Sequence, residues 1–169
     1  MLNGEWHNFM LKEITLIFFC PNRLAELVPR HDSAAFISIT DHARDKALQH
    51  YLISKHELQL YFYDVDLLRG DDALRQEWGT RAMQPEHAVA LWRFLAEVSE
   101  NVSLLYVSCD AGVSRSKAVA FALRDSLHLP EDALREALSK NNVTAEFRNE
   151  HVYQTVIEGY KTFLQTRTQ

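Results

Sequence analysis

In the stretch VSLLYVSCDAGVSRS (residues 102–116), an almost unbroken apolar run ends on a cysteine, a glycine, an arginine and serines. The run is too continuously apolar for a strand with one wet face, and it predicts a strand buried in a parallel sheet. From Ser116 the chain continues as KAVAFALR, a helical run rich in alanine and valine. Strand, short loop and helix in that order put the loop where α/β sheets bind ligands, beyond the carboxyl end of a strand. They also put it at a helix start, where free backbone N–H groups favour an anion.

Outward from this unit, strands and helices alternate. EITLIFF (13–19), AAFISIT (34–40) and LQLYFYDVD (58–66) read as strands, dense in β-branched and aromatic residues. After Pro21, the spacing of Leu24, Leu27 and Val28 predicts a short helix. Asp41 is placed to cap a second, HARDKALQHYL (42–52). A charged connection with Gly70 and Gly79 spans 67–83. Pro85 then suits the first turn of a helix through Val98, with Val89, Trp92 and Leu95 on one face. Further helices are predicted at about 116–127, 130–140 and 149–166. The fold class expected is α/β, a central, mostly parallel sheet of four or five strands flanked on both faces by helices.

Composition narrows the setting. At 169 residues the chain matches one domain, 1–169, with enough mass for a proper core. A net charge of −5 gives no general pull toward nucleic acid or acidic membrane, so any anion site must be local. Two cysteines, Cys20 and Cys109, are too few for a disulfide framework and fit a reducing cytosol. No apolar stretch reaches the ~20 residues of a membrane span. The opening MLNGEWHNFMLKEITLIFFC has its apolar run too late and too short for a signal peptide. A cytoplasmic protein is expected.

Within the loop each residue has a chemical reason. A cysteine attacks as its thiolate, which helix starts and neighbouring cations favour. Gly112 lets the chain curl with φ > 0, so that successive N–H groups of Asp110, Ala111, Gly112, Val113 and Ser114 converge on one anion. Arg115 offers a planar, two-pronged grip on phosphate oxygens that lysine does not match. Ser116 is placed to hydrogen-bond the thiolate as it leaves. The bland alternative for Cys109, a core cysteine, does not account for these companions; for Cys20, in FFCPNR, it does.

CDAGVSRS has the cysteine, five residues, arginine spacing of the protein tyrosine phosphatase superfamily, and AGVSRS most resembles its compact bacterial dual-specificity members. YFYDVD, MQPEHAVALWRFL, the strand into the loop and FRNEHVYQTV follow in that family's order, over roughly residues 34–160. The resemblance implies a cysteine-phosphatase-like fold and a phosphoric monoester hydrolase working through a cysteinyl-phosphate, with no cofactor and no metal. Its partner would be a phosphorylated protein or a small phosphomonoester. Catalytic roles fall to Cys109, Arg115, Asp64 and Ser116, and the phosphate cradle to residues 109–115. The family's usual histidine before the cysteine is here Ser108, which implies weakened or altered activity. A phosphate-binding module without turnover is the alternative. Asp110, where inositol-phosphate members typically carry lysine, favours a phosphoprotein over a phosphoinositide.

A leaving group needs a proton donor, and a carboxylic acid can serve. Asp64 and Asp66 both qualify and would share a strand face; by resemblance Asp64, after Phe62 and Tyr63, is preferred. Asp71 and Asp72 are outside candidates in the 67–83 connection, where Arg69, Arg75 and Arg81 either bind an acidic substrate or line a solvated face. Asn149 either braces the loop, as the family implies, or caps a helix. In HDSAAFISITDH (31–42), His31, Asp32, Asp41 and His42 match no metal-ligand spacing, and surface or capping roles are expected.

Overall fold

A computed structural model describes residues 14–41, 48–98, 100–136 and 148–167. Its elements are β1 (Leu16–Pro21), α1 (Asn22–Ala25), β2 (Ala34–Thr40), β3 (His50–Ser54), β4 (Glu57–Tyr61), α2 (Asp72–Trp78), α3 (Pro85–Val98), β5 (Leu104–Cys109), α4 (Arg115–Ser126), β6 (Leu134–Glu136) and α5 (Glu150–Arg167). The strands form one six-stranded sheet in the order β3-β4-β2-β5-β1-β6. Every pairing is parallel except β3 with β4. The class is therefore α/β with a mostly parallel sheet, but with six strands instead of four or five.

Both additional strands replace expected helix. Residues 42–47 of the predicted second helix lie outside the described residues, and its end is the edge strand β3, joined to β4 by the two-residue turn Lys55–His56. Tyr51, Leu52 and Ile53 suit a strand, and pairing with β4 outweighs the local helical spacing. Over 130–140, Glu131–Ala133 form a 3₁₀ turn, and β6 pairs with β1 from Ile17↔Leu134 to Phe19↔Glu136. An open sheet edge offers backbone partners that a short, isolated helix lacks. Residues 137–140 of that prediction lie outside the described set. The strand expected over 58–66 ends at Tyr61, and the 67–83 connection contains α2.

Alternation along β1 and β5 sorts the core. Ile17, Phe19, Leu105 and Val107 are fully buried with side chains of α3, α4 and α5. On the opposite face Phe18, Tyr106 and Phe36 stack across three strands, with centroids 5.1 and 5.0 Å apart and the Arg30 guanidinium 3.7 Å from the Phe36 ring. Phe18 and Tyr106 are only partly buried there, so β5 is less enclosed than its apolar run suggests.

Helix α4 is buried on nearly every side, and its central run Ala118–Leu123 is apolar all round, as such burial requires. It packs on β1 and β5, and α5 packs against both α4 and α3. At the α3–α5 crossing a Cβ on Gly159 would lie 2.4 Å from that of Ala88, so glycine lets the backbones approach. Trp92 Nε1 donates to the Val156 carbonyl at 2.9 Å across the same contact. These supports hold the start of α4, and with it the loop, against the end of β5.

Candidate active site

β5 delivers Cys109 as its last residue, and α4 begins six residues later at Arg115. The turn between them depends on Gly112, whose φ of +72° is accessible to glycine. Its Cα also abuts β1, because an added Cβ would lie 2.3 Å from Pro21 N. In this curl the Gly112 N–H donates to Cys109 Sγ at 3.2 Å, and Sγ lies 3.2 Å from Ser116 Oγ. Cys109 and Ser116 are both buried. A sulfur ringed by a backbone N–H, a hydroxyl and the first turn of a buried helix is one whose negative charge would be met by fixed dipoles.

Arg115 is buried and fully engaged on one side. Nη1 donates to the Phe62 carbonyl at 2.7 Å and to Asp41 Oδ1 at 2.6 Å, while Nη2 donates to Asp110 Oδ2 at 3.0 Å. Nε is buried without a hydrogen-bond partner. Burial pulls the guanidinium toward losing its proton, but Asp41 and Asp110, with Cys109, more than offset this and hold its pKa above the usual arginine value. Asp41 is a site residue that local reading took only for a helix cap. Its signal was position, an aspartate closing a strand that turns out to neighbour β5.

The two candidate acids separate. Asp64 Oδ1 accepts from Ser114 Oγ and from Asn149 Nδ2, each at 2.9 Å, which ties it to the loop. Asp66 instead accepts from the Glu150 and His151 N–H groups at 2.9 and 3.1 Å and from Leu68 N–H at 3.2 Å, capping α5. The expected shared strand face is absent because the strand has already ended. Asn149 takes the capping role, since its Oδ1 also accepts from Val152 N–H at 3.0 Å, and it reaches the loop only through Asp64. Asp71 caps α2 through the Leu74 N–H, and Asp72 pairs with Arg75; neither lines the loop.

A cleft of about 440 Å³ opens beside the loop, lined by Asp41, Tyr63, Asp64, Leu74, Trp78 and Arg115. Its wall is aromatic, with Tyr63 and Trp78 edge to face at 5.8 Å. Of the three arginines in the connection, Arg69 pairs with Asp66 at 3.6 Å and Arg75 with Asp72 at 2.9 Å. Arg81 lies over that wall, 5.0 Å from the Trp78 ring and 5.9 Å from Tyr63.

Ser108 is buried and reaches Ser38 Oγ on β2 at 3.4 Å, a long contact between neighbouring strands. Cys20 is buried near the end of β1, and burial, then the proximity of Cys109, push its thiol from 9.0 up to about 11, a backbone contact from Ala25 opposing. It is a core thiol, held protonated. His31 lies against the Ser33 hydroxyl at 2.7 Å, and His42 is outside the described residues. Among the described residues no three His, Cys, Asp or Glu side chains are grouped as metal ligands would be, and no helix is long and apolar enough to cross a membrane. No family model, curated protein or solved structure matches this chain.

Proposed function

We propose that this chain is a phosphoric monoester hydrolase with Cys109 as nucleophile. The observation that carries the reading is the convergence of the Gly112 N–H and the Ser116 hydroxyl on Cys109 Sγ, inside a turn closed by the buried Arg115. In the first step the Sγ thiolate attacks phosphorus and the bond from phosphorus to the leaving oxygen breaks. Asp64, held over the loop by Ser114 and Asn149, gives that oxygen a proton. Loop amides and Arg115 stabilise the equatorial oxygens. In the second step water attacks phosphorus, passes a proton to Asp64, and the phosphorus–sulfur bond breaks. Ser116 stabilises the departing thiolate, and inorganic phosphate leaves. The cleft beside Asp64 gives room for a phosphorylated side chain or a small phosphomonoester.

Hydrolysis of p-nitrophenyl phosphate, compared with Cys109→Ser, tests the reading. The variant is expected to lose turnover and to keep phosphate or vanadate binding; full activity in it would eliminate the scheme. A second reading, a phosphate-binding module without turnover, is favoured by Ser108 and its long contact to Ser38. Turnover above the Cys109→Ser control excludes it.

A further inference from the structure

Which edge of Arg115 can hold a phosphate follows from its bonds. Nη1 has two protons, and both are used, on the Phe62 carbonyl and on Asp41. A two-pronged grip on neighbouring oxygens must therefore use Nε–H and one Nη2–H, which point the same way within the guanidinium plane. Nε is buried and unpaired, while Nη2 gives one of its two protons to the Asp110 carboxylate at 3.0 Å. Asp110 is itself held there, because Asn22 Nδ2 donates to its Oδ1 at 3.2 Å and to the Ile39 carbonyl at 3.0 Å.

We propose that Asp110 sets the affinity of the loop for phosphate by competing, with its own carboxylate, for the Arg115 Nη2 that a substrate oxygen would use. The inference rests on the hydrolase reading above for its functional meaning and on the Arg115 geometry for its substance. The Asp110 side chain is 52% exposed and can swing into water, whereas that of Arg115 is 5% exposed and cannot leave. Phosphate thus exchanges with Asp110 while the arginine stays fixed. The displaced carboxylate remains close to the bound anion, as does Asp41, and like charges around one cation weaken binding. Substrate and product phosphate are weakened together. The gain is rapid release of the product, since the carboxylate returns to Nη2 as phosphate departs.

The test is calorimetric titration with inorganic phosphate of the full chain and of Asp110→Asn, Asp110→Ala and Asp110→Glu. p-Nitrophenyl phosphate kinetics are measured alongside. Removing the charge, in the Asn and Ala variants, is expected to tighten phosphate binding at least about fivefold and to lower KM in step, without raising kcat. Asp110→Glu keeps the charge and should tighten phosphate binding clearly less than the neutral variants do. A purely structural role would not separate Asn and Ala from Glu. Unchanged or weaker phosphate binding in both neutral variants overturns the proposal, as does tightening of the same size in Asp110→Glu. If phosphate binding tightens as expected but no variant turns over substrate, the hydrolase reading fails while the role of Asp110 stands. If neither the unmodified chain nor the neutral variants bind phosphate, both fail.

Discussion

Asn149 donates its side-chain amide to Asp64 Oδ1 at 2.9 Å while its own carbonyl oxygen accepts the Val152 N–H of the last helix. One buried residue thus couples the start of α5 to the carboxylate that faces the loop, across 85 positions of sequence. The proposed general acid is aimed by a helix that carries no other part of the proposed chemistry.

If Asp64 is that acid, its worth depends on the leaving group. Asp64→Asn is expected to lower kcat about 10²-fold or more on a phosphotyrosine peptide, whose leaving oxygen needs a proton. On p-nitrophenyl phosphate the loss should stay within about tenfold, because that oxygen leaves unaided. Asn149→Ala should show the same pattern more weakly, together with roughly 1 kcal/mol of lost stability from the cap. The two substrates measured side by side decide it; a leaving-group pattern in Asp66→Asn in place of Asp64→Asn would move the acid by two residues.

Asp66 is expected to act on stability. It accepts three backbone N–H groups, two of them at the start of α5, and pairs loosely with Arg69. Asp66→Ala should cost about 1–2 kcal/mol, the range for losing a helix cap. Denaturant titration measures that loss, and kinetics should show it falling equally on good and poor leaving groups.

Gly112→Ala tests the turn. The backbone there has φ +72°, and the new methyl group would meet Pro21 N at 2.3 Å, with no flexible side chain to give way. The loop must then reopen, which removes the Gly112 N–H from Cys109 Sγ. Expected outcomes are a loss of about 1–3 kcal/mol and phosphate binding below detection by calorimetry. Retained binding with full stability would mean that the curl is not needed.

Acid lability should trace in part to His87. Its ring is buried against Phe62, and its Nδ1 accepts the Gln84 N–H at 2.8 Å. Burial holds its pKa below the ordinary 6.5, against a weaker opposing contact with the Tyr61 backbone. The unfolded chain therefore takes up this proton first. The stabilisation is complete above about pH 6.5 and is lost as pH falls below it, with a slope approaching about 1 kcal/mol per pH unit. The melting temperature of His87→Gln should fall less steeply over the same acid range. Because the Phe62 carbonyl holds Arg115, phosphate binding should weaken in parallel in the unmodified chain.

Sequence by itself determined the Cys109 loop and the framework around it. Cysteine, curl, cation and hydroxyl lie within eight residues, so one glycine and one helix start suffice to arrange them. The central strands and α3, α4 and α5 were equally legible, because long apolar runs and helical spacing are local signals. Tertiary structure alone decided what reaches the loop from a distance. The order β2-β5-β1 brings Asp41 onto Arg115 and Asn22 onto Asp110, although 74 and 88 residues separate the partners. It also parted Asp64 from Asp66, since the chain leaves the strand at Tyr61 and the start of α5 claims the second carboxylate. The edge strands β3 and β6 were hidden for the same reason: a strand is stabilised by its neighbour's backbone, and no local window contains that neighbour.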